Sequence, residues 1–144
     1  MPHFTQQIPN LALIGPNVTV TVGLTARAQA ALLAIGKAIP ATVTVVAQID
    51  TGAVKTVLNP TTIQALGLTA VGTTPIVTPS TSAPINLNLF DVAIVFPSGV
   101  VIPECRAIEA PLKGQAIQAL IGRDILSTAI LTYIGPMNQF TLSF

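Results

Sequence analysis

Short apolar segments with two different periods divide the chain into strands and a few short helices. Residues 17–22 alternate strictly between apolar and polar positions, which is typical of a half-buried strand. The apolar runs at 42–49 and 85–96 predict two longer strands, and an Ala- and Leu-rich segment at 26–35 predicts a helix that ends before Gly36. Further strands are predicted at 54–58, 74–77, 100–104, 118–121, 129–134 and 139–144, and further short helices at 61–66 and 124–128.

These elements predict a mainly β fold with two or three short helices. Residues 1–16 follow neither period, so an irregular or partly extended arm is expected there. Residues 1–38, which add the first strand and the first helix, are interpreted as an extension or a pro-segment that packs on the rest of the protein. The principal domain is expected to span residues 39–144.

The scarcity of charge limits the functions that this chain can have. Of its 144 residues, 51% are hydrophobic and only 8% are charged, and the formal net charge is +1. This composition excludes a disordered chain, and the scattered basic residues form no patch for nucleic acid. So few charges on a small domain also indicate that a partner covers part of its apolar surface.

A lone Cys105 and a lone His3 restrict the chemistry further. They exclude an internal disulfide and a structural zinc site, and a Cys–His nucleophile pair is not expected. No metal and no organic cofactor are predicted. The N-terminus lacks a basic segment followed by a long apolar core, and charged residues or Pro40 interrupt each apolar stretch before about eighteen residues. We therefore expect a cytoplasmic protein without a signal peptide or a membrane span.

Asp50 is the most informative polar residue, because it ends an apolar strand in a chain with only five acidic residues. Thr51 and Gly52 follow it and predict a tight turn. An Asp-Thr-Gly turn also occurs without any catalytic role. The triplet alone therefore leaves a catalytic and a purely structural interpretation open.

A second motif further along the chain gives the Asp50 turn its context. Leu120, Ile121 and Gly122 form an apolar strand that ends in Gly, and Arg123 and Asp124 lead into the short helix after it. With these two motifs and its closing hairpin, the chain resembles the retropepsin-like aspartic proteases, the single-domain kind found in retroviruses and bacteria, and in particular the bacterial members. The resemblance covers residues 40–144 and is strong in the two motifs and loose between them.

The resemblance implies a closed barrel or sandwich that forms a two-fold homodimer, and an aspartic endopeptidase that cleaves extended polypeptides. Amide hydrolysis by this route needs one carboxylate to activate water and one carboxylic acid to protonate the carbonyl oxygen. Two carboxyl groups about 3 Å apart share a proton, because both cannot ionise readily. Since the chain has a single Asp-Thr-Gly, a two-fold axis would supply the second carboxyl group from the same loop of a partner.

The resemblance also assigns roles within the Asp50 loop. Asp50 would be the catalytic carboxylate that activates water together with its symmetry mate. Thr51 would connect the two loops of the dimer through hydrogen bonds from its hydroxyl. Gly52 and the small Ala53 would let the substrate approach the backbone closely.

The second motif is expected to support this loop and not to react. Leu120, Ile121 and Gly122 would lie beside it. Arg123 would brace the site and the dimer through ion pairs, and Asp124 would cap the helix that it begins. A hairpin flap would cover the cleft, and its candidate residues are Val77, Thr78, Pro79, Ser80, Thr81, Ser82 and Ala83.

Two alternatives to an enzyme stay open from the sequence alone. Val54 and Lys55 depart from the acidic or polar residues that are common after Asp-Thr-Gly-Ala in the family. The main alternative is therefore a non-catalytic module of the same fold that dimerises or binds peptides. A membrane-associated β-rich protein is the other alternative, and it rests on hydropathy alone.

Overall fold

Ten strands and four short α-helices in the described residues make the chain mainly β, as the sequence predicts. The computed structural model describes residues 1–77 and 82–144. No helix in this part of the chain is long and apolar enough to cross a membrane. The strands are β1 (His3–Gln7), β2 (Asn17–Gly23), β3 (Val43–Ile49), β4 (Val57–Leu58), β5 (Gly72–Ile76), β6 (Ile85–Val95), β7 (Val101–Glu109), β8 (Ala119–Ile121), β9 (Ile130–Ile134) and β10 (Gln139–Ser143). The helices are α1 (Leu11–Ile14), α2 (Ala26–Ala34), α3 (Pro60–Ala65) and α4 (Arg123–Leu126).

Seven strands form the main sheet, in the hydrogen-bonded order β2-β3-β8-β4-β7-β6-β5. β2 also pairs with β6, with Thr21 opposite Val95, so the order returns to its first strand. The apolar positions of β2 face the core: Val18, Val20 and Val22 are at most 2% exposed. The half-buried strand predicted from strict alternation is confirmed, because alternate side chains of a strand point to opposite faces.

β8 lies between two strands that are neighbours in the sequence. β3 and β4 are separated only by the Asp50 loop, yet they do not pair with each other. β8 runs parallel to β3, with Ile49 opposite Ile121, and antiparallel to β4, with Val57 opposite Leu120. This insertion brings the end of β8 against the loop that leaves β3. The two sequence motifs therefore lie side by side.

A second sheet, in the order β1-β10-β9, packs on the same core through aromatic side chains. Phe4 of β1 and Phe140 of β10 are buried and meet edge to face, with ring centroids 6.3 Å apart. Phe4 also stacks on Phe96, at 5.9 Å between centroids. Because Phe96 directly follows β6, these contacts join both ends of the chain to the main sheet. β1 and β9 are the two outer strands of this smaller sheet.

The arm predicted to be irregular or partly extended at residues 1–16 contains a regular strand and a short helix. β1 pairs with β10 along its whole length, and α1 follows it. Only Phe4 of β1 is buried, so the strand carries almost no alternation that a sequence could reveal. β1 and β2, the two strands within residues 1–38, are both hydrogen-bonded into the sheets. The division into an extension and a principal domain stays a prediction.

Three predicted strands begin or end elsewhere. β4 begins at Val57 and not at Val54, because the backbone of the residues between them bonds to the second motif. β5 begins two residues and ends one residue earlier than predicted, and β7 continues to Glu109, well past the predicted end at Glu104. The extra length of β7 is stabilised by pairing with both β6 and β4.

The candidate flap falls at the tip of an antiparallel hairpin. Its strands are β5 and β6, with Ile76 opposite Ile85. Val77, Ser82 and Ala83 are exposed, and 78–81 lie outside the described residues. The two strands that a flap requires are present, and the assignment of its tip stays a prediction.

Candidate active site

The Asp50 carboxylate is held by the turn that follows it. The Asp50 backbone N–H donates to the carbonyl of Ile121 at 3.0 Å, which ties the start of the loop to β8. Oδ1 of Asp50 accepts hydrogen bonds from the N–H groups of Gly52, at 2.8 Å, and of Ala53, at 3.3 Å. The side chain is half-buried. The local backbone thus orients one carboxylate oxygen and leaves the group accessible to solvent.

Backbone hydrogen bonds join the second motif to the end of the Asp50 loop. The N–H of Arg123 donates to the carbonyl of Ala53 at 2.9 Å, and the N–H of Asp124 donates to that of Val54 at 3.2 Å. These bonds occupy the segment after Ala53 and explain why it does not join β4. They require the two segments of backbone to approach each other closely.

Gly122 permits that approach. A Cβ atom at this position would lie 2.6 Å from the carbonyl oxygen of Lys55 and 2.8 Å from the nitrogen of Thr56. Real side chains essentially never tolerate such distances to backbone atoms. The Gly that ends the apolar strand of the second motif is therefore needed for lack of a side chain, not for an unusual backbone conformation.

Thr56 and Asp124 form the central polar contact between the two motifs. Thr56 is fully buried, and its N–H lies 3.0 Å from each carboxylate oxygen of Asp124. Its hydroxyl donates to Oδ1 of Asp124 at 2.9 Å and accepts from the N–H of Gly122 at 3.2 Å. One buried hydroxyl thus serves both the strand end and the first turn of α4.

The predicted cap role of Asp124 is wrong in its detail. Gly122 occupies the position before α4, and no side chain caps it. The Asp124 carboxylate is turned toward Thr56, and it also accepts from the N–H of Ile125 at 3.0 Å. Its main partner, Thr56, comes from the segment after the Asp50 loop, and its purely structural role stays a prediction.

Other predicted roles involve a second copy of the chain and stay predictions. Thr51 is exposed, and its hydroxyl makes no hydrogen bond within the described residues. Arg123 is also exposed and forms no ion pair in this part of the chain, where the ion pair is between Arg106 and Asp91. Gly52 is exposed and Ala53 is half-buried, beside the carboxylate that they help to orient.

The thiol of Cys105 lies next to the hydrogen bonds between Thr56 and Asp124. Sγ of Cys105 is 3.8 Å from Oδ2 of Asp124, and the side chain is buried. Burial, followed by the negative charge of Asp124, raises the pKa of the Cys105 thiol to about 12. The thiol is therefore protonated at neutral pH and is not activated as a nucleophile.

Thr56 is the site residue whose role the sequence does not reveal. It lies in a stretch of small and apolar residues, and nothing in its neighbourhood indicates that its partner is Asp124, far away in the chain. The sequence signal that could have found Thr56 is its position shortly after the Asp-Thr-Gly turn, just before the strand that pairs with β8.

Comparison with known proteins identifies the fold. No protein-family model and no curated protein sequence matches this chain. A crystal structure of a retropepsin-like aspartic protease from Rickettsia conorii matches with a TM-score of 0.57 and 12% identity, over 99% of this chain and 91% of that chain. A retroviral protease-like domain of Ddi1 from Leishmania major matches with a TM-score of 0.44 and 17% identity, over 87% of this chain and 86% of that chain.

This chain therefore has the fold of the retropepsin-like aspartic proteases. The resemblance stated from the Asp50 turn and the second motif is confirmed at the level of the fold. The match to the Rickettsia protein extends over nearly the whole chain, so it includes the N-terminal strands that the sequence resemblance did not cover.

We predict that Gly122→Ala destabilises the protein because the added methyl group collides with the backbone of Lys55 and Thr56. The free energy of unfolding should fall by about 1–3 kcal/mol, the usual cost of overpacking, as measured by urea denaturation. Gly135→Ala is the matched control, since its methyl group would lie 3.5 Å from a ring atom of Tyr133, an ordinary contact. Equal losses in the two variants would contradict the requirement for a close approach.

Thr56→Val should destabilise the fold without changing its shape. Valine keeps the volume and the backbone N–H but removes the hydroxyl, so the N–H of Gly122 is left buried without its partner. We expect a loss of about 1–3 kcal/mol in the free energy of unfolding. Thr19→Val, at an exposed position of β2, makes the same chemical change and should stay within about 0.5 kcal/mol of the parent. A neutral Thr56→Val would show that the hydroxyl does not connect the motifs.

Proposed function

We propose that this chain is an aspartic endopeptidase whose active form is a two-fold homodimer with both Asp50 side chains at the axis. The orientation of the Asp50 carboxylate carries the proposal. Oδ1 is held by the Gly52 N–H at 2.8 Å, whereas Oδ2 accepts no hydrogen bond from the described residues. A half-exposed carboxylate with one oxygen fixed and one free is suited to share a proton with a second carboxyl group.

The second carboxyl group has to come from another copy, because the chain has one Asp-Thr-Gly turn. β9 supports such an assembly. It is an outer strand without charged residues, it follows α4, and it exposes Ile130 (57%) and Tyr133 (47%). Uncharged edge strands readily pair with another chain, and antiparallel pairing of β9 with its own copy satisfies a two-fold axis. Each smaller sheet would then continue into that of its partner.

In the proposed dimer, one ionised carboxylate removes a proton from water, and the water oxygen attacks the scissile carbonyl carbon. The protonated carboxyl group donates its proton to the carbonyl oxygen. The tetrahedral intermediate then breaks its C–N bond as the nitrogen receives a proton from the pair. Neither copy of Asp50 has a permanent role, because protonation belongs to the pair. The polypeptide would bind extended beneath the hairpin tip, with Thr51 and Arg123 bracing the two loops.

One observation favours the alternative of a non-catalytic dimerisation or peptide-binding module. Val54 is 66% exposed immediately after the Asp50 loop, and Lys55 follows it where the family commonly has acidic or polar residues. Such a module would keep the fold and the dimer but would not cleave peptides. The variants below distinguish the two functions.

Asp50→Asn should abolish cleavage of denatured casein while leaving the fold and the dimer intact, because the amide cannot activate water or share the proton. Wild-type cleavage should be blocked by a pepstatin-type inhibitor. Glu109→Gln is the matched control, since it neutralises a carboxylate on β7 away from the loop, and it should cleave at the parental rate. Peptidase activity retained by Asp50→Asn would refute the assignment, and an inactive wild-type dimer would favour the non-catalytic module.

The cleavage rate should be highest at acid pH. The dyad must hold one proton, so the rate should fall as rising pH removes it and also at very low pH, where both groups are protonated. Initial rates are measured across the pH range, with circular dichroism and sedimentation at each pH to control for unfolding and dissociation. A rate that climbs steadily into the alkaline range would contradict the dyad.

Thr132→Lys, in the middle of β9, should dissociate the dimer and reduce cleavage in parallel, because a charged side chain opposes pairing of two edge strands. Molecular mass is measured by analytical ultracentrifugation at several protein concentrations. Thr44→Lys, at an exposed position of β3, is the matched control and should remain dimeric. A Thr132→Lys protein that keeps both its dimeric mass and its activity would exclude β9 from the interface.

A further inference from the structure

A cavity lies at the opposite end of β2 from the Asp50 loop. Asn17, at the start of β2, is opposite Gln48, just before Asp50, whereas Gly23 at the other end leads into α2. The cavity lies between α2 and the segment 67–71, which leads into β5, and its volume is about 370 Å³. This volume is within the range of small-molecule sites, about 300–1,000 Å³.

The walls of this cavity are apolar and incompletely covered. α2 has no buried residue, although it consists mainly of Ala and Leu. Ile35 is 66% exposed and Val71 is 50% exposed. Ala28 and Leu32 pack only partly against the core, so a ligand that covers the remaining apolar surface of this face lowers the free energy. The main apolar lining residues are Leu24, Ala28, Leu32, Ile35, Leu68 and Val71.

Arg27 places an unpaired positive charge at the same cavity. It lies in the first turn of α2, is exposed, and donates no hydrogen bond and forms no ion pair within the described residues. The positive end of the α2 dipole is at the same turn, so both features favour an anion there.

Asp91, the acidic residue of the lining, is already occupied by another cation. Both of its oxygens accept hydrogen bonds from Arg106, at 2.8 and 3.0 Å. This bond, with a smaller contribution from the charge of Arg27, lowers the pKa of the Asp91 carboxyl group, which is therefore ionised at neutral pH. The charges of Asp91 and Arg106 cancel, and the positive charge of Arg27 is left over.

We propose that this cavity binds a small apolar carboxylate, with its head group on the Arg27 guanidinium and its apolar tail along α2 between Leu32 and Val71. A guanidinium group matches a carboxylate through two parallel hydrogen bonds, and the apolar walls match the tail. The proposal is independent of peptidase activity. The ligand would also contact the base of the β5–β6 hairpin, because the N–H of Val71 donates to the carbonyl of Leu89 at 2.8 Å.

Calorimetric titration of the full chain with decanoate, and with decanol as its uncharged counterpart, tests the charge. Decanoate should bind, and decanol should bind about fivefold more weakly, the effect of one partly solvated charge pair. Arg27→Gln should weaken decanoate to the level of decanol and leave decanol unchanged. Lys37→Gln removes a cation just beyond α2 that does not line the cavity, and it should change neither affinity. Equal weakening by the two variants would overturn the role of Arg27.

Three further measurements test the location of the site and the source of the carboxylate. Ala31→Phe, on the exposed lining of α2, should fill the cavity and prevent decanoate binding; undiminished binding would overturn the proposal. In the unmodified protein, amide NMR shifts on adding decanoate should centre on Ala28, Leu32 and Leu68, and shifts confined to other regions would contradict it.

N-acetyl-trileucine and its C-terminal amide form a parallel arm. Tighter binding of this peptide than of decanoate identifies a peptide C-terminus as the source, tighter decanoate a fatty acid, and binding of neither refutes the site.

Discussion

The contact between Thr56 and Asp124 is the interaction on which the rest of the candidate site depends. It joins the segment that leaves the Asp50 loop to the first turn of α4, and the Thr56 hydroxyl reaches back to the N–H of Gly122. A buried hydroxyl and a half-buried carboxylate would be costly if they were unpaired, so each stabilises the other's position. The insertion of β8 between β3 and β4 gives these groups their places, and Gly122 lets the backbones come close enough for the bonds to form.

The site therefore depends on backbone geometry more than on side-chain chemistry. The Asp50 loop is tied to β8 at its start, through Ile121, and to α4 at its end, through Arg123. Between these two points, the N–H groups of Gly52 and Ala53 orient the carboxylate. The carboxylate is thus oriented by its own loop, and the proposed proton transfer would require such an orientation.

The features that sequence reasoning predicted correctly are local ones. The alternation of β2, the position of α2 and the turn after β3 each depend on residues within one short segment, so the pattern carries the answer. β1 depends on β10, at the other end of the chain, and its pairing leaves only Phe4 as an apolar signal. The Thr56–Asp124 contact likewise joins residues that are 68 positions apart. The sequence singles out Asp124 as a cap, but nothing indicates that Thr56 is its partner until the fold brings the two residues together.

The contrast between local and long-range features also separates the Asp50 site from the proposed cavity site at α2. The motifs at Asp50 and Gly122 are dense in unusual residues and could be recognised as a pair, which led to the right fold. Arg27 and the apolar face of α2 carry no motif. The charge of Arg27 becomes notable only because Arg106, on β7, occupies Asp91, so that Arg27 forms no ion pair within the described residues.

The bonds of the Asp50 loop to β8 and α4 need no second copy of the chain, and this would have a consequence for control of the proposed enzyme. In the proposed dimer, association would then not have to fold this loop and would bring two preformed halves together. At low concentration most chains would then be inactive monomers, and neither an inhibitor nor a removable segment would be needed to keep them inactive. Because the fraction of halves that have met rises with the amount of protein made, expression level alone would act as the threshold for turning proteolysis on.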